Sequence, residues 1–352
     1  RGAYYKISTM SEEARAKGLV AASAGNHAQG VAYAAQKFGC KATIVMPTVT
    51  PLIKVNRTKS YGAEVILYGD VYDDSCAYAE KLAQERGSTF VHPFDDLDIV
   101  AGQGSIAMEI VQELPTVDYI LAPVGGGGLI TGVSTLAKML NPKIKVIGVE
   151  PAAAPSMTMA LASGEPVTLD SANTIADGTA VKRVGDRIFE YAKKNIDQML
   201  TVEDDELVGA FLDMVENHKM IVENSGLLTV AALKQLDLKG KKAVAILSGG
   251  NMDVITMSSI VQHGLIQRDR IFSASVLLPD KPGQLALVAQ TIADAQGNVI
   301  KLEHNQFVST NRNAAVELRI TMEAYGTEHK NQIMKALEEK GFRPREIGAK
   351  LY

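Results

Sequence analysis

The residues with the most chemistry in their spacing are Ser23-Ala24-Gly25-Asn26-His27-Ala28-Gln29-Gly30. They follow the apolar run Leu19-Val20-Ala21-Ala22 and lead into an alanine-rich stretch from Val31 to Ala35. An apolar run, a small-residue turn and a helical pattern predict a strand, a loop and a helix N-terminus. Such a loop offers free backbone N–H groups where the helix dipole favours an anion, and an amino-acid carboxylate is an anion of the right size. The Asn26 amide adds a directional donor and acceptor beside it. By spacing alone, an ordinary Gly/Asn turn reads the same way.

Two further turns narrow the choice. Pro123-Val124-Gly125-Gly126-Gly127-Gly128-Leu129 follows the apolar run Tyr119-Ile120-Leu121-Ala122 and precedes a helical pattern from Ile130 to Leu140. Contiguous glycines let the backbone approach a ligand, and their N–H groups can form a phosphate-binding nest. No Lys-Ser/Thr pair follows and the spacing is not G-x-G-x-x-G, which argues against an ATPase or a dehydrogenase. Ser248-Gly249-Gly250-Asn251 ends the run Ala243-Val244-Ala245-Ile246-Leu247, expected as a strand buried on both faces. It puts the Ser248 hydroxyl at a strand's C-terminal end, where open parallel sheets bind ligands. Together the three turns describe one ligand with a phosphate and a hydrogen-bonded ring, plus a carboxylate.

The elements that must position these groups follow an α/β grammar. Strand patterns at Ala42–Met46, Glu64–Leu67 and Val146–Val149 alternate with helical ones at Tyr72–Arg86 and Gly104–Gln112, as a doubly wound parallel sheet predicts. At 352 residues the chain exceeds the size at which one core stops growing, so two domains are expected. Hydrophobic content of 46% and charged content of 22% are globular values. A net charge of −4 argues against a nucleic-acid or anionic-membrane partner. No apolar run approaches the ~18 residues of a membrane helix. Cys40 and Cys76 lack metal spacing and fit reduced thiols of a cytoplasmic protein. The six histidines form no H-x-x-H or H-E-x-x-H pattern, which argues against a catalytic transition metal.

Six segments, in order, carry a family resemblance: Arg1-Gly2-Ala3-Tyr4, the Ser23–Gly30 loop, His92-Pro93-Phe94-Asp95 with Ala101-Gly102-Gln103-Gly104-Ser105, the tetraglycine loop, Thr174-Ile175-Ala176-Asp177-Gly178, and Ser248-Gly249-Gly250-Asn251. The chain resembles the threonine ammonia-lyases of the pyridoxal-phosphate fold type II group, which also holds serine racemases and serine dehydratases. The resemblance implies a catalytic domain over residues 1–267, made of two doubly wound parallel-sheet subdomains with the smaller at about 21–115. The active site is then expected between them.

The implied cofactor is pyridoxal 5′-phosphate. Asn26 would meet its ring hydroxyl, Gly125, Gly126, Gly127, Gly128 and Leu129 its phosphate, and Ser248 its pyridine nitrogen. Ser23, Ala24, Gly25, Asn26 and His27 would hold the substrate carboxylate, His27 through its backbone N–H. Gly178 and Glu223 are expected just outside these contacts, with Asp177 ordering the loop of Gly178. In the family the Schiff-base lysine sits in a Ser-Phe-Lys-x-Arg-Gly-Ala segment, which places it two positions before Arg1. Lys6 and Lys54, the nearest substitutes, are expected on the surface. A family cation site built from a Glu, a backbone carbonyl and an Asp maps to Glu150, Ala154 and Ser156. The lost carboxylate leaves a monovalent ion, a divalent ion or none, and Glu150 as a local cap is the other reading.

The pattern changes near Arg268. Val316 to Glu323 alternates apolar and polar residues, as a strand with one wet face does. Leu285, Val288, Ala289, Ile292 and Ala295 mark one helix face, and Ile333, Met334 and Leu337 another. With strands at Phe272–Leu278 and near Arg345–Gly348, residues 268–352 read as βαββαβ and resemble an ACT regulatory domain. Pro282, Gly283, Gln284 and Leu285 lie in its expected effector turn; a purely structural dimerisation domain is the alternative.

The resemblance implies deamination of L-threonine to 2-oxobutanoate and ammonia, with L-serine as a second substrate, an amino-acid effector and a homodimer or homotetramer. Serine racemases carry a proton-donating serine where this chain has Ala24, so the expectation is a lyase. A racemase/dehydratase and a non-catalytic amino-acid sensor are the alternatives.

Overall fold

The computed structural model describes residues 1–305 and 316–349. The remainder of the expected second domain, 306–315 and 350–352, lies outside the described residues. The chain divides into two compact units, Arg1–Val254 and Ile255–Tyr352. The helix Val254–Gln267 thus falls mainly in the second unit, ahead of the pattern change at Arg268.

The first unit holds two parallel four-stranded sheets. Strands β1 (Leu19–Ala22), β2 (Ala42–Met46), β3 (Glu64–Leu67) and β4 (Thr89–Phe90) pair in the order β3-β2-β1-β4. Strands β5 (Tyr119–Pro123), β6 (Lys145–Pro151), β7 (Gln198–Val202) and β8 (Ala243–Ala245) pair in the order β7-β6-β5-β8. Successive β1 residues serve opposite faces, as the period of two requires. Leu19 and Ala21 meet Val31, Ala35 and Ile99, whereas Val20 and Ala22 meet Ala79, Leu82 and Ala83. Both faces are covered, so β1 and β2 are buried throughout.

The strand Ala243–Ala245 departs from expectation. It is half-buried rather than buried, because it is the edge strand of its sheet and only β5 pairs with it. Ile246 N extends that pairing by donating to the Leu121 carbonyl at 3.0 Å.

The helix Leu97–Glu113 joins the two sheets. Ile99 belongs to the β1–β2 core, and Ala107, Ile106 and Ile110 to the core around Ile120 and Val133. It lies close along the helix Gly128–Leu140, where a Cβ on Gly132 would meet Val100 O at 2.3 Å. Expected as part of the small subdomain, this helix in fact serves both.

The second unit carries β9 (Ile271–Leu278), β10 (Asn298–Asn305), β11 (Val316–Glu323) and β12 (Pro344–Ile347) in an antiparallel sheet ordered β10-β11-β9-β12. With helices Gln284–Asp294 and Thr327–Glu339 the order is βαββαβ. Val288, Ile292, Ile333 and Leu337 pack on Ala274, Val276, Leu318 and Ile320. Leu285 and Ala289, expected on the buried helix face, are exposed, since only the stripe through Val288 and Ile292 meets the sheet. The opposite face of the sheet is polar: Ser273 and Thr321 hydroxyls lie 2.8 Å apart, and Ser275 Oγ donates to Glu317 Oε1 at 2.7 Å.

Candidate active site

In each sheet of the first unit the chain reverses its direction of strand addition at one place. In the first sheet this switch point lies between β1 and β4, in the second between β5 and β8. Ligands of open parallel sheets bind beyond the carboxyl ends of the strands at such points. The four segments leaving those ends are the Ser23 loop, His92–Asp95, the tetraglycine loop and Ser248–Asn251. All four line one cavity of about 960 Å³.

The Ser23–Gly30 loop forms its first wall. Ser23 N donates to Val45 O and Gly25 N to Ser23 Oγ. The helix Asn26–Lys37 begins there, and the first N–H to find a helical partner is that of Gln29, on Gly25 O. The N–H groups of Asn26, His27 and Ala28 make no hydrogen bond with another described residue, an arrangement that suits an anion. The largely buried His27 ring instead donates from Nε2 to Val91 O at 2.9 Å. Burial pushes its pKa down to about 4, against the opposing pull of that hydrogen bond. The ring is therefore neutral and structural.

The tetraglycine loop forms the facing wall. Its glycines are required by protein packing: a Cβ on Gly126 would lie 2.3 Å from the Phe94 ring, and one on Gly128 2.9 Å from Phe94 Cα. Gly127 has φ +97, and Gly125 sits 3.0 Å, from its would-be Cβ, to Thr179 Cα. That packing leaves the N–H groups of Gly125 to Leu129 without a hydrogen-bond partner among the described residues, at the N-terminus of the helix Gly128–Leu140. A row of unpaired N–H donors at a helix start suits a phosphate.

Ser248 stands past the end of β8 on the cavity wall, its hydroxyl making no hydrogen bond with another described residue. The turn behind it wraps Glu223. Glu223 Oε2 accepts from Asn251 N at 2.8 Å, Oε1 accepts from Asn26 Nδ2 at 2.7 Å, and a Cβ on Gly249 would lie 2.3 Å from the carboxylate carbon. Burial raises the pKa of this carboxyl, and its two hydrogen bonds oppose the rise. Gly178 lies over the same group, its would-be Cβ 2.9 Å from Ser225 Oγ and 3.3 Å from Glu223 Oε1.

The remaining motifs assemble the wall. Arg1 pairs with Glu109 and donates to Ser105 Oγ, and Gly2 N donates to Gln103 Oε1. Gly102 is needed there because its Cβ would meet Gly2 Cα at 2.8 Å. His92 Nδ1 accepts from Phe94 N and Asp95 N, while Asp95 Oδ1 accepts from Arg187 N and Ile188 N at the start of the helix Asp186–Asn195. The His92–Asp95 segment thus fastens the first sheet's side to the second's.

Two expectations change, and Glu150 takes one of its two readings. Lys54 is not on the surface: its side chain is 14% exposed, lines the cavity and pairs with Asp177 Oδ2 at 2.6 Å. Lys6 is equally covered, paired with Asp96 at 2.6 Å, because the helix Gly2–Thr9 lies against the helix Leu97–Glu113. Glu150, fully buried, spends its carboxylate on Met157 N (2.6 Å), Thr158 N (2.9 Å), Thr158 Oγ1 (2.8 Å) and Ser156 Oγ (3.4 Å). It caps the helix Ser156–Ser163, which is the local reading of that residue. Among the described residues no group of three or more His, Cys, Asp or Glu side chains is set for a metal ion. Pro282, Gly283 and Leu285 are exposed in the second unit, at the start of the helix Gln284–Asp294.

The donor set fits pyridoxal phosphate: an N–H nest for its phosphate, a lone hydroxyl for its ring nitrogen and an amide for its ring oxygen. Residues 1–249 match the family model described as pyridoxal-phosphate dependent enzyme, and the chain belongs to that family. It is 42% identical to the L-threonine ammonia-lyase of Thermotoga maritima, across 99% of this chain and 87% of that protein. The processed threonine deaminase isoform 2 of Solanum lycopersicum superposes with a TM-score of 0.71 at 41% identity, covering 74% of this chain and 78% of that one. Serine racemase from Dictyostelium discoideum does so with a TM-score of 0.68 at 36% identity, covering 72% and 83%.

Proposed function

We propose that the protein is an ammonia-lyase that converts L-threonine to 2-oxobutanoate and ammonia, and L-serine more slowly to pyruvate. The observation that carries this reading is the meeting of two unpaired N–H clusters, at Asn26–Ala28 and Gly125–Leu129, on one cavity with Ser248. Pyridoxal phosphate, when bound, supplies an electron sink for the bond pair released at the substrate's Cα.

The chain's own residues do the rest. Gly125 to Leu129 hold the phosphate, and Ser248 offers the ring nitrogen a neutral hydroxyl. Unlike a carboxylate, that partner does not hold a proton on the nitrogen, which favours prompt loss of the β-hydroxyl. Asn26 turns its amide to the ring oxygen, and the N–H groups after Gly25 anchor the substrate carboxylate. Ala24 presents a methyl group on this wall, so no exchangeable proton is offered from it. That favours elimination over racemisation. The lysine that takes the Cα proton is assigned, by the family pattern, to the second position before Arg1.

Residues 268–352 are read as an ACT-type domain that binds an amino-acid effector near Pro282–Leu285, in a cytoplasmic homodimer or homotetramer. No described helix is long and apolar enough to cross a membrane.

The test is to follow oxo-acid and D-amino-acid formation from L-threonine and L-serine with the purified holoenzyme. Oxo acid as the main product supports the lyase, and D-serine as the main product overturns it. Borohydride reduction followed by peptide mass analysis should place the cofactor on a lysine two residues before Arg1.

A further inference from the structure

Among the described residues several polar contacts cross between the two sheets of the first unit. Asn26 to Glu223 belongs to the binding site described above, and Asp95 to Arg187 N and Ile188 N holds two backbone segments together. A further contact, an ion pair, joins Lys54 Nζ to Asp177 Oδ2 at 2.6 Å. Lys54 lies on the helix Leu52–Ser60, seated on the first sheet's side by buried Val55 and Thr58. A lysine side chain only 14% exposed has lost most of its contact with water and calls for a fixed polar partner.

Asp177 is such a partner, although its own side chain is largely exposed. Its loop is tied to the second sheet's side at four points. Thr174 Oγ1 donates to Asp204 Oδ1 at 2.5 Å, Ile175 N to Asp204 Oδ2 at 3.0 Å, Asn224 Nδ2 to Ile175 O at 3.0 Å, and Thr179 Oγ1 to Ser225 Oγ at 3.4 Å. The next residue, Gly178, packs on Ser225 and Glu223. Lys54 is therefore a group from one lobe held by a rigid loop of the other, on the cavity wall, and it is outside the set assigned above to phosphate, ring and carboxylate.

We propose that Lys54 is a positioning residue whose ion pair with Asp177 latches the two lobes over the occupied cleft and parts when substrate enters or product leaves. The kinetic arm of its test rests on the lyase reading; the latch itself does not. Removing the latch depopulates the closed form, so the apparent KM rises by the inverse of the closed fraction. Turnover is spared wherever opening limits product release.

The experiment compares Lys54→Met, Lys54→Arg, Asp177→Asn, the Lys54→Met/Asp177→Asn double variant and the Lys54→Asp/Asp177→Lys swap in the holoenzyme. The expected result is a KM for L-threonine raised about fivefold in each neutral single variant, with kcat within about threefold, a scale typical of coupled neighbours. The double variant should be no worse than either single, and Lys54→Arg and the swap should restore KM. Hydrogen exchange should quicken at residues 47–55 and 174–180 in Lys54→Met, with the buried strands β2 and β5 as protected as before. Multiplying single effects, no rescue by arginine, or exchange that is unchanged or faster throughout both lobes would overturn the latch. If the parent enzyme forms no oxo acid from threonine, the lyase reading falls, and the exchange arm still decides the latch.

Discussion

At the residue scale the proposed lyase outcome turns on Ala24, whose methyl group adds no proton donor to the cavity wall it shares with Ser23, Asn26 and His27. Ala24→Ser should add a hydroxyl there and raise D-serine formation from L-serine at least tenfold, read by chiral chromatography. Ser248→Ala should lower kcat about tenfold, the scale of one neutral hydrogen bond lost at a reacting ring, with the phosphate contacts and cofactor content preserved. His27 tests the burial of the same loop. Its folded pKa of about 4 lies below the ordinary 6.5, so the unfolded chain takes up the proton first as pH falls. Stability is then full above about pH 6.5 and is lost toward pH 4, by on the order of 2–3 kcal/mol. Urea unfolding at pH 7.5 and 5 should show that difference, and His27→Gln should shrink it. Burial lowers the His92 pKa in the same sense, so part of the slope should survive.

At the scale of elements, the loops that line the cavity were legible because strand, small-residue turn and helix start are all local. Asn26, the tetraglycine run and Ser248 could be picked out one by one. Their meeting on one ligand was read from their joint chemistry and the family resemblance, whereas its structural cause lies in strand order: β4 returns beside β1, and β8 beside β5. Lys54 was misjudged for a related reason. A lysine on a polar helix looks solvated until the partner 123 residues later is placed next to it. The tetraglycine run also has a packing cause that the sequence did not show, since Phe94 fills the space a Cβ would take at Gly126 and Gly128. Gly126→Ala should push Phe94 aside, costing about 1–3 kcal/mol and lowering cofactor affinity; urea midpoints and cofactor titration would read both. The edge position of Ala243–Ala245 was equally hidden, because composition reports apolarity and not how many neighbours a strand has.

For the whole molecule, the βαββαβ order of the second unit was visible in the switch from buried runs to clean alternation at Val316–Glu323. Its boundary was less so, since the helix Val254–Gln267 has the composition of the domain before it. A chain ending at Val254 should keep lyase activity and lose any response to isoleucine, valine or threonine, measured by oxo-acid formation with and without each. The helix Leu97–Glu113 has a further consequence for the first unit. Because one rigid rod supplies Ile99 to one hydrophobic core and Ala107 to the other, neither core can melt without stripping the helix from its neighbour. The two sheets should accordingly melt as one thermodynamic unit, in a single calorimetric peak whose van't Hoff and measured enthalpies agree.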